Sequence, residues 1–206
     1  MNDRRKSEKR PVFQIGERKE RHGHMMKKVI LFFANGTEEI EALTAVDLLR
    51  RAGADVTVAG VGGTELTGSH AIRVTADIDA AEISSFDYDM VVVPGGMPGT
   101  LHMDGCEAVD KTLREVERNG GFLAAICAAP LVLGKRGYLK NKEAICYPGF
   151  ESYLEGAVLS EHRVCRDGNV ITAAGAGVAL EFALALIRAL YGEEKEKQIR
   201  ASVLAD

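Results

Sequence analysis

The stretch Ala124-Ala125-Ile126-Cys127-Ala128-Ala129-Pro130 decides how this 206-residue chain is interpreted. The apolar run from 122 to 126 predicts a short buried strand, and residues 128–133 predict the start of a helix. The strand therefore delivers Cys127 to a sharp turn at a helix N-terminus. Unpaired backbone N–H groups and the helix dipole favour a thiolate there, so we expect a reactive cysteine with a lowered pKa. The alternative for this residue type is a buried structural cysteine.

The composition is that of an ordinary globular protein. Hydrophobic residues make up 46% and charged residues 27% of the chain, and its length suffices for one α/β domain with a sizeable core. The longest apolar stretch, 178–190, is interrupted by Glu181 and Arg188, so no membrane span or membrane partner is expected. A charged N-terminus predicts no signal peptide. The four cysteines form no CxxC pair, which favours free thiols and a cytoplasmic location.

The charge is uneven along the chain. Residues 1–28 carry 10 basic and 4 acidic side chains, whereas the remainder carries 16 basic and 26 acidic ones. An acidic body argues against nucleic-acid binding by the domain itself. We interpret residues 1–26 as a basic, disordered leader or a mis-assigned start, and residues 27–206 as a single domain.

Strand and helix signals alternate from residue 28 onward. Strands are predicted at 29–33, 55–61, 90–93, 122–126 and 144–147, with a hairpin around Asp167-Gly168-Asn169. Helices are predicted after a Thr37 cap and at 106–118, 177–190 and 193–204. This order predicts an α/β fold with a parallel sheet and helices on both faces. In such a sheet the site lies beyond the C-terminal ends of the strands.

Two further segments fall at strand ends and complete the candidate site. Gly95 and Gly96 follow the strand at 90–93, where glycine lets backbone N–H groups approach a ligand oxygen. With the N–H groups of Cys127 and Ala128, Gly96 would form an oxyanion hole. Glu41 follows the strand at 29–33, and a carboxyl buried beside the thiolate would be protonated and act as general acid or base.

Other polar residues give weaker signals. Glu38 and Glu39 fit surface carboxylates that complement a helix dipole. The five histidines have no metal-ligand spacing, so no metal site is predicted; only His102 lies near a predicted strand end, and the non-catalytic interpretation of it is favoured. Cys146 is a second thiol that falls near the site. Neither a complete dinucleotide fingerprint nor a Walker A motif is present.

These residues together resemble the ThiJ/PfpI superfamily, most closely its DJ-one-like branch. The resemblance extends from residue 27 to the C-terminus and rests on four motifs in the same order: residues 34–41, residues 92–96, residues 125–130 and Gly175-Ala176-Gly177. It implies a flavodoxin-like three-layer sandwich with a nucleophile elbow, a homodimer and cofactor-free chemistry. It makes Cys127 the nucleophile, Glu41 a protonated carboxyl touching the sulfur, and the backbone of Gly96 and Ala128 the oxyanion site.

The resemblance also implies chemistry on small 2-oxoaldehydes. The activities are a glyoxalase reaction from methylglyoxal to lactate and a deglycase reaction on early glycation adducts, together with an oxidative-stress role. Human-type members have a histidine where this chain has Tyr147, whereas bacterial relatives have a tyrosine at this position as well. Tyr147 would bind a substrate oxygen but does not replace an imidazole base.

Three alternatives remain open. The first is a redox sensor or chaperone with an oxidisable Cys127 and incidental turnover. The second is a peptidase of the PfpI branch, which is less favoured because that branch has a histidine where this chain has Ala128. The third is the thiazole monophosphate biosynthesis role with which such relatives are often labelled, and no residue here explains that step.

Overall fold

The computed structural model describes residues 26–205. The basic leader predicted at residues 1–26 therefore lies outside the described residues, except for Met26. The strands are β1 (Lys28–Ala34), β2 (Asp55–Val61), β3 (Glu65–Thr67), β4 (Arg73–Thr75), β5 (Ile78–Asp79), β6 (Met90–Val93), β7 (Phe122–Ile126), β8 (Glu143–Ala144), β9 (Val158–Leu159), β10 (Val164–Asp167) and β11 (Val170–Ala173). The α-helices are α1 (Glu39–Arg51), α2 (Gly99–Asp104), α3 (Glu107–Arg118), α4 (Pro130–Gly134), α5 (Ala179–Tyr191) and α6 (Glu193–Ser202).

A seven-stranded sheet forms the centre of the domain, in the order β10-β11-β7-β6-β1-β2-β5. Neighbouring strands are parallel except for the β10–β11 hairpin. The predicted mainly parallel α/β fold is therefore confirmed. The C-terminal ends of β1, β6 and β7 lie side by side, which brings three of the four sequence motifs to one edge.

The sheet is buried on both faces, as a continuous apolar strand such as β1 requires. On one face, alternate β1 residues pack with α1 and α5 in a cluster that includes Leu31, Leu49 and Phe182. On the other face, the intervening residues pack with α3 and α4 in a cluster that includes Phe32, Leu113 and Leu133. Two helical layers around one sheet give the expected three-layer sandwich. Within residues 26–205, no helix combines the length and apolar character that a membrane crossing needs.

Two local predictions differ from the structure. The strand predicted at 144–147 is confined to β8, which pairs with β9 outside the main sheet. The chain leaves the strand because the N–H of Ile145 donates to Oγ1 of Thr172 and the N–H of Tyr147 donates to the carbonyl of Cys127. The predicted Thr37 cap is also wrong. Glu38 is the residue before α1, and Oγ1 of Thr37 instead accepts from the N–H of Ala34.

Candidate active site

Cys127 occupies a sharp elbow between β7 and α4. Its φ angle is +64°, a left-handed conformation that is strained for a residue other than glycine. Two backbone hydrogen bonds hold this conformation, from the Cys127 N–H to the Ala173 carbonyl (2.9 Å) and from the Tyr147 N–H to the Cys127 carbonyl (2.8 Å). The predicted strand-to-turn placement of the thiol is therefore confirmed.

Glu41 lies in the first turn of α1 and is completely buried. Its Oε2 accepts a hydrogen bond of 2.8 Å from the backbone N–H of Gly95. Burial raises the pKa of Glu41 to about 7, against the lowering effects of the hydrogen bond from Gly95 and of the nearby Cys127 thiol, and the charge of Glu38 adds to the rise. Protonation of this carboxyl near neutral pH agrees with the sequence prediction.

The Cys127 thiol lies beside this carboxyl, but the pair is not aligned as a well-formed hydrogen bond. Oε1 of Glu41 has no partner of good geometry among the described residues. Catalytic hydrogen bonds are commonly long or poorly aligned before a substrate binds. Oε1 of Glu41 is therefore able to form a hydrogen bond with a group that becomes attached to the sulfur of Cys127.

The lowered thiol pKa predicted from the helix N-terminus is wrong. Burial and the nearby Glu41 raise the pKa of Cys127 to about 12, while backbone N–H groups of Ala128 and Gly96 oppose the rise. The helix contributes little because α4 begins only at Pro130 and is five residues long. A thiolate at Cys127 therefore needs the adjacent carboxyl to be neutral.

The two side chains behave as one titrating unit that shares its protons. With one proton in the pair, the negative charge rests either on the carboxylate of Glu41 or on the sulfur of Cys127. In the second arrangement the protonated carboxyl and two backbone N–H groups surround the thiolate. The site thus holds a nucleophile and an acid or base that exchange one proton between them.

The two glycines after β6 have different roles. The N–H of Gly95 is occupied by Glu41, so it positions the carboxyl and is not free for the substrate contact predicted from the sequence. Gly96 has a φ of +88°, and an added Cβ would lie 2.3 Å from the backbone nitrogen of Glu38. Glycine is therefore required for the loop after β6 to pack against the start of α1.

Tyr147 and Gly175 border the sulfur on the opposite side. A Cβ on Gly175 would lie 3.2 Å from the Tyr147 ring and 3.9 Å from Sγ of Cys127. Tyr147 is 51% exposed, so it lies at the surface beside the sulfur. The structure thus brings Tyr147 to the site as predicted. The position of Gly175 beside the sulfur was not predicted, because the Gly175-Ala176-Gly177 motif entered only as a family motif and without a role at the site.

Comparison with known proteins identifies the family of the chain. A sequence model of the DJ-1/PfpI family matches residues 27–189. The chain belongs to the DJ-1/PfpI family. It is 39% identical over 183 residues to protein dj-1beta of Drosophila melanogaster, across 87% of this chain and 98% of the relative. It is 31% identical to the glutathione-independent glyoxalase DJR-1.2 of Caenorhabditis elegans, across 83% and 92%. The structure of oxidized Toxoplasma gondii DJ-1 superposes with a TM-score of 0.83 at 38% identity, across 86% and 98%.

One acidic residue of this DJ-1/PfpI domain is not at the surface, contrary to the prediction. Glu39 is 3% exposed, and its carboxylate accepts hydrogen bonds from the N–H groups of His70 and Ile72 and from the hydroxyl of Ser69. Burial alone would raise its pKa, but these bonds and that from its own N–H lower the pKa of Glu39 to about 2. Glu39 therefore fastens the 68–72 loop to α1, beside the site.

Within residues 26–205, the side chains close enough together to bind a metal ion belong to this same group around Glu39. Ligand atoms of Glu38, Glu39 and His70 lie within 4.8 Å of one another. The Glu39 carboxylate is already saturated by the 68–72 loop, so these groups serve to hold the loop.

The remaining candidates have surroundings different from those of the reacting groups of this DJ-1/PfpI site. His102 is exposed, and its Nδ1 is 3.1 Å from the carbonyl of Asn35, so it contacts the turn after β1. All four cysteines are free, as predicted. Cys146 is buried, and burial raises its pKa to about 11. Cys127 therefore differs from Cys146 in two respects: it lies at the sharp turn between β7 and α4, and the carboxyl of Glu41 lies beside its thiol.

Proposed function

We propose that this protein is a glutathione-independent glyoxalase that converts small 2-oxoaldehydes to 2-hydroxy acids, with methylglyoxal to lactate as the type reaction. Early glycation adducts formed from the same aldehydes are the related substrates of a deglycase activity. The observation that carries the proposal is the buried Glu41 carboxyl with a pKa near 7 beside Cys127. The relative DJR-1.2, which is named a glutathione-independent glyoxalase, supports the same reaction class.

In the first step the sulfur of Cys127 attacks the aldehyde carbon. A C–S bond forms, the carbonyl π electrons move to oxygen, and the oxyanion takes a proton to give a hemithioacetal. The N–H groups of Gly96 and Ala128 face the sulfur and stabilise the charge that develops beside it. Glu41 carries the proton that the thiol gives up, so the nucleophile is generated without a histidine.

In the second step Glu41 moves a proton between the two substrate carbons. Its carboxylate removes the hydrogen of the former aldehyde carbon as a proton, and an enediolate results. The neighbouring carbon then takes a proton from the carboxyl, and the hydroxyl proton on the former aldehyde carbon passes to the neighbouring oxygen, which leaves a thioester of a 2-hydroxy acid. One carbon is oxidised while its neighbour is reduced, so the step requires no external oxidant.

In the last step water attacks the thioester, the C–S bond breaks and the Cys127 sulfur leaves with the electron pair. The pair regains its single proton and the 2-hydroxy acid is released. Tyr147, exposed beside Gly175, would donate a hydrogen bond to a substrate oxygen. A peptidase reaction has less support, because Ala128 provides no base after the nucleophile.

The test is product formation from methylglyoxal in the absence of glutathione. We expect the wild type to release lactate, and we expect Cys127→Ala and Glu41→Gln to lose at least about a hundredfold in turnover. Cys106→Ala is the matched control, since this thiol is partly exposed but lies at the start of α3. Undiminished lactate formation in Cys127→Ala would contradict the proposal.

A redox sensor is the second candidate function. The unpartnered Oε1 of Glu41 would donate to a sulfinate oxygen on Cys127 once the carboxyl is protonated. Mild peroxide should then add two oxygens, located at Cys127 by peptide mapping. Oxidation that begins at Cys106 or Cys165 would exclude this role.

We also propose that the protein forms a homodimer through α1. Ile40 and Leu43 are 56% and 40% exposed on one side of this helix. Ile72, 51% exposed, is attached to the same helix through the hydrogen bond from its N–H to Glu39. An apolar surface of this kind is typical of a protein interface.

A further inference from the structure

The strand register places an arginine at the same edge of the sheet as the reactive cysteine. Ile126 in β7 pairs with Ala173 in β11, and Ala173 pairs with Val164 in β10. Arg163 directly precedes Val164, and its carbonyl accepts from the N–H of Ala174. Its backbone is thus two strand spacings from the elbow, about 10 Å.

The side chain of Arg163 reaches toward the turn that borders the sulfur. Its Nη2 donates a hydrogen bond of 3.2 Å to the carbonyl of Gly177. Gly175, two residues earlier in the same turn, is the residue whose added Cβ would lie 3.9 Å from Sγ of Cys127. The guanidinium and the sulfur therefore both lie close to one short turn, residues 175–177.

Arg163 has donor capacity that the fold does not use. A guanidinium offers five N–H donors in a planar fork. Within residues 26–205, its recorded side-chain bond is the single one to Gly177, and no carboxylate forms an ion pair with it. The carboxylates that act on the site, Glu41 and Glu38, lie on the α1 side. The cation thus stands unpaired on the opposite side of the entrance.

We propose that Arg163 forms an anion subsite, so that the enzyme selects 2-oxoaldehydes whose chain ends in a carboxylate several bonds from the aldehyde. The aldehyde carbon bonds to Cys127 while the carboxylate takes the free face of the guanidinium in a charge-assisted hydrogen bond. The inference rests on the proposed dicarbonyl chemistry for its substrate, and it adds a preference that the reaction itself does not require.

The first test compares 4,5-dioxopentanoate with its methyl ester, which has the same chain without the charge. In the wild type we expect the acid to have a KM about three- to tenfold lower than the ester, with similar kcat, because an exposed charged contact is modest in strength. Arg163→Gln should abolish the difference and Arg163→Lys should retain part of it. Equal KM values in the wild type, or a preference that survives in Arg163→Gln, would overturn the proposal.

Arg166→Gln is the matched control on the same hairpin. The Arg166 guanidinium lies 5.0 Å from the centre of the Phe122 ring, and its Nε donates to the carbonyl of Gly168 at the other end of β10. This variant should keep the wild-type preference for the acid. Loss of the preference in Arg166→Gln as well would show a general effect of net charge and would refute the subsite.

A second readout does not need turnover. N-iodoacetylglycine and its neutral amide both alkylate a thiol, forming a C–S bond as iodide leaves and the thiol proton passes to solvent. Peptide mapping gives the rate at Cys127 for each reagent. Arg163→Gln should lower the acid-to-amide rate ratio about three- to tenfold relative to wild type, whereas an unchanged ratio would overturn the subsite. Absence of turnover together with a changed ratio would refute the proposed function and leave the subsite standing.

Discussion

Cys127 and Glu41 meet across Gly95. A Cβ added to Gly95 would lie 2.7 Å from Cβ of Cys127 and 2.7 Å from Oε2 of Glu41. The glycine therefore permits a thiol at the end of β7 and a carboxyl in the first turn of α1 to share one small volume. At this separation the charge on either group controls the protonation of the other.

This coupling predicts opposite effects of Glu41→Gln on two rates. Removal of the carboxylate charge should lower the pKa of Cys127, so alkylation of Cys127 by iodoacetamide at pH 8 should become faster. Turnover of methylglyoxal should fall at least about a hundredfold, because the amide cannot move a proton between the substrate carbons. Mass spectrometry of the Cys127 peptide and a lactate assay measure the two rates.

The control for this experiment is alkylation of Cys106 in the same samples, which should not change. If the substitution slowed alkylation and turnover together, Glu41 would be activating the thiol and not opposing its ionisation. The proposed sharing of one proton would then be incorrect.

The pH dependence of the reaction follows from the same pair. The reactive form has lost one proton, and the pKa of Glu41 is about 7. The value of kcat/KM should therefore rise with pH, from about tenfold below the plateau at pH 6 to a plateau above pH 8. Initial rates of methylglyoxal consumption from pH 5 to 9 give the profile. A rate that falls between pH 6 and 8 would mean that the doubly protonated pair is the active form.

The sequence predicted the position of the thiol better than its chemistry. The apolar strands and the turn at Cys127 could be predicted because burial requires continuous apolar residues in β1, β6 and β7. The thiol pKa was mispredicted because the local pattern shows a turn before a helix but not the burial of the sulfur, which is the largest cause of the raised pKa, nor the effect of Glu41, 86 positions away in the chain, on that pKa. Glu39 was mispredicted for the same reason, since its partners in the 68–72 loop are supplied by the fold.

Gly96 should tolerate no side chain, because an added Cβ would lie 2.3 Å from the nitrogen of Glu38 and 2.5 Å from the carbonyl oxygen of Gly36. Gly120→Ala is the matched control, since Gly120 also has a positive φ, +76°, but an added Cβ there contacts nothing within 4 Å. Gly120→Ala should cost about 1 to 2 kcal/mol of unfolding free energy. Gly96→Ala should cost about 1 to 3 kcal/mol more, because it adds a clash with backbone. Urea unfolding that gives equal losses would contradict this packing.

Glu39→Gln should destabilise the fold by about 1 to 3 kcal/mol at pH 7, since it leaves buried donors of the 68–72 loop poorly satisfied. The pKa of Glu39 is lowered to about 2 from an ordinary value of 4.5, so its ionised form stabilises the fold above pH 4.5. This contribution is lost as the pH falls through 2, and the wild type and Glu39→Gln should converge there. Urea unfolding at pH 7, 4 and 2.5 measures the difference, with the exposed Glu82→Gln as control. A difference independent of pH would show that the carboxylate charge is not responsible.

The proposed dimer predicts that a charge on the exposed side of α1 separates the subunits. Light scattering should give twice the chain mass for the wild type, and Ile40→Lys should raise the dissociation constant at least about tenfold, because it places an unpaired charge in an apolar interface. Val158→Lys is the control, since Val158 is 63% exposed on β9, which pairs with β8 outside the main sheet. A monomeric wild type, or a dimer disrupted equally by both variants, would contradict association through α1. Because Ile40 lies directly before Glu41, separation of the subunits should also reduce methylglyoxal turnover if the interface supports the position of the carboxyl.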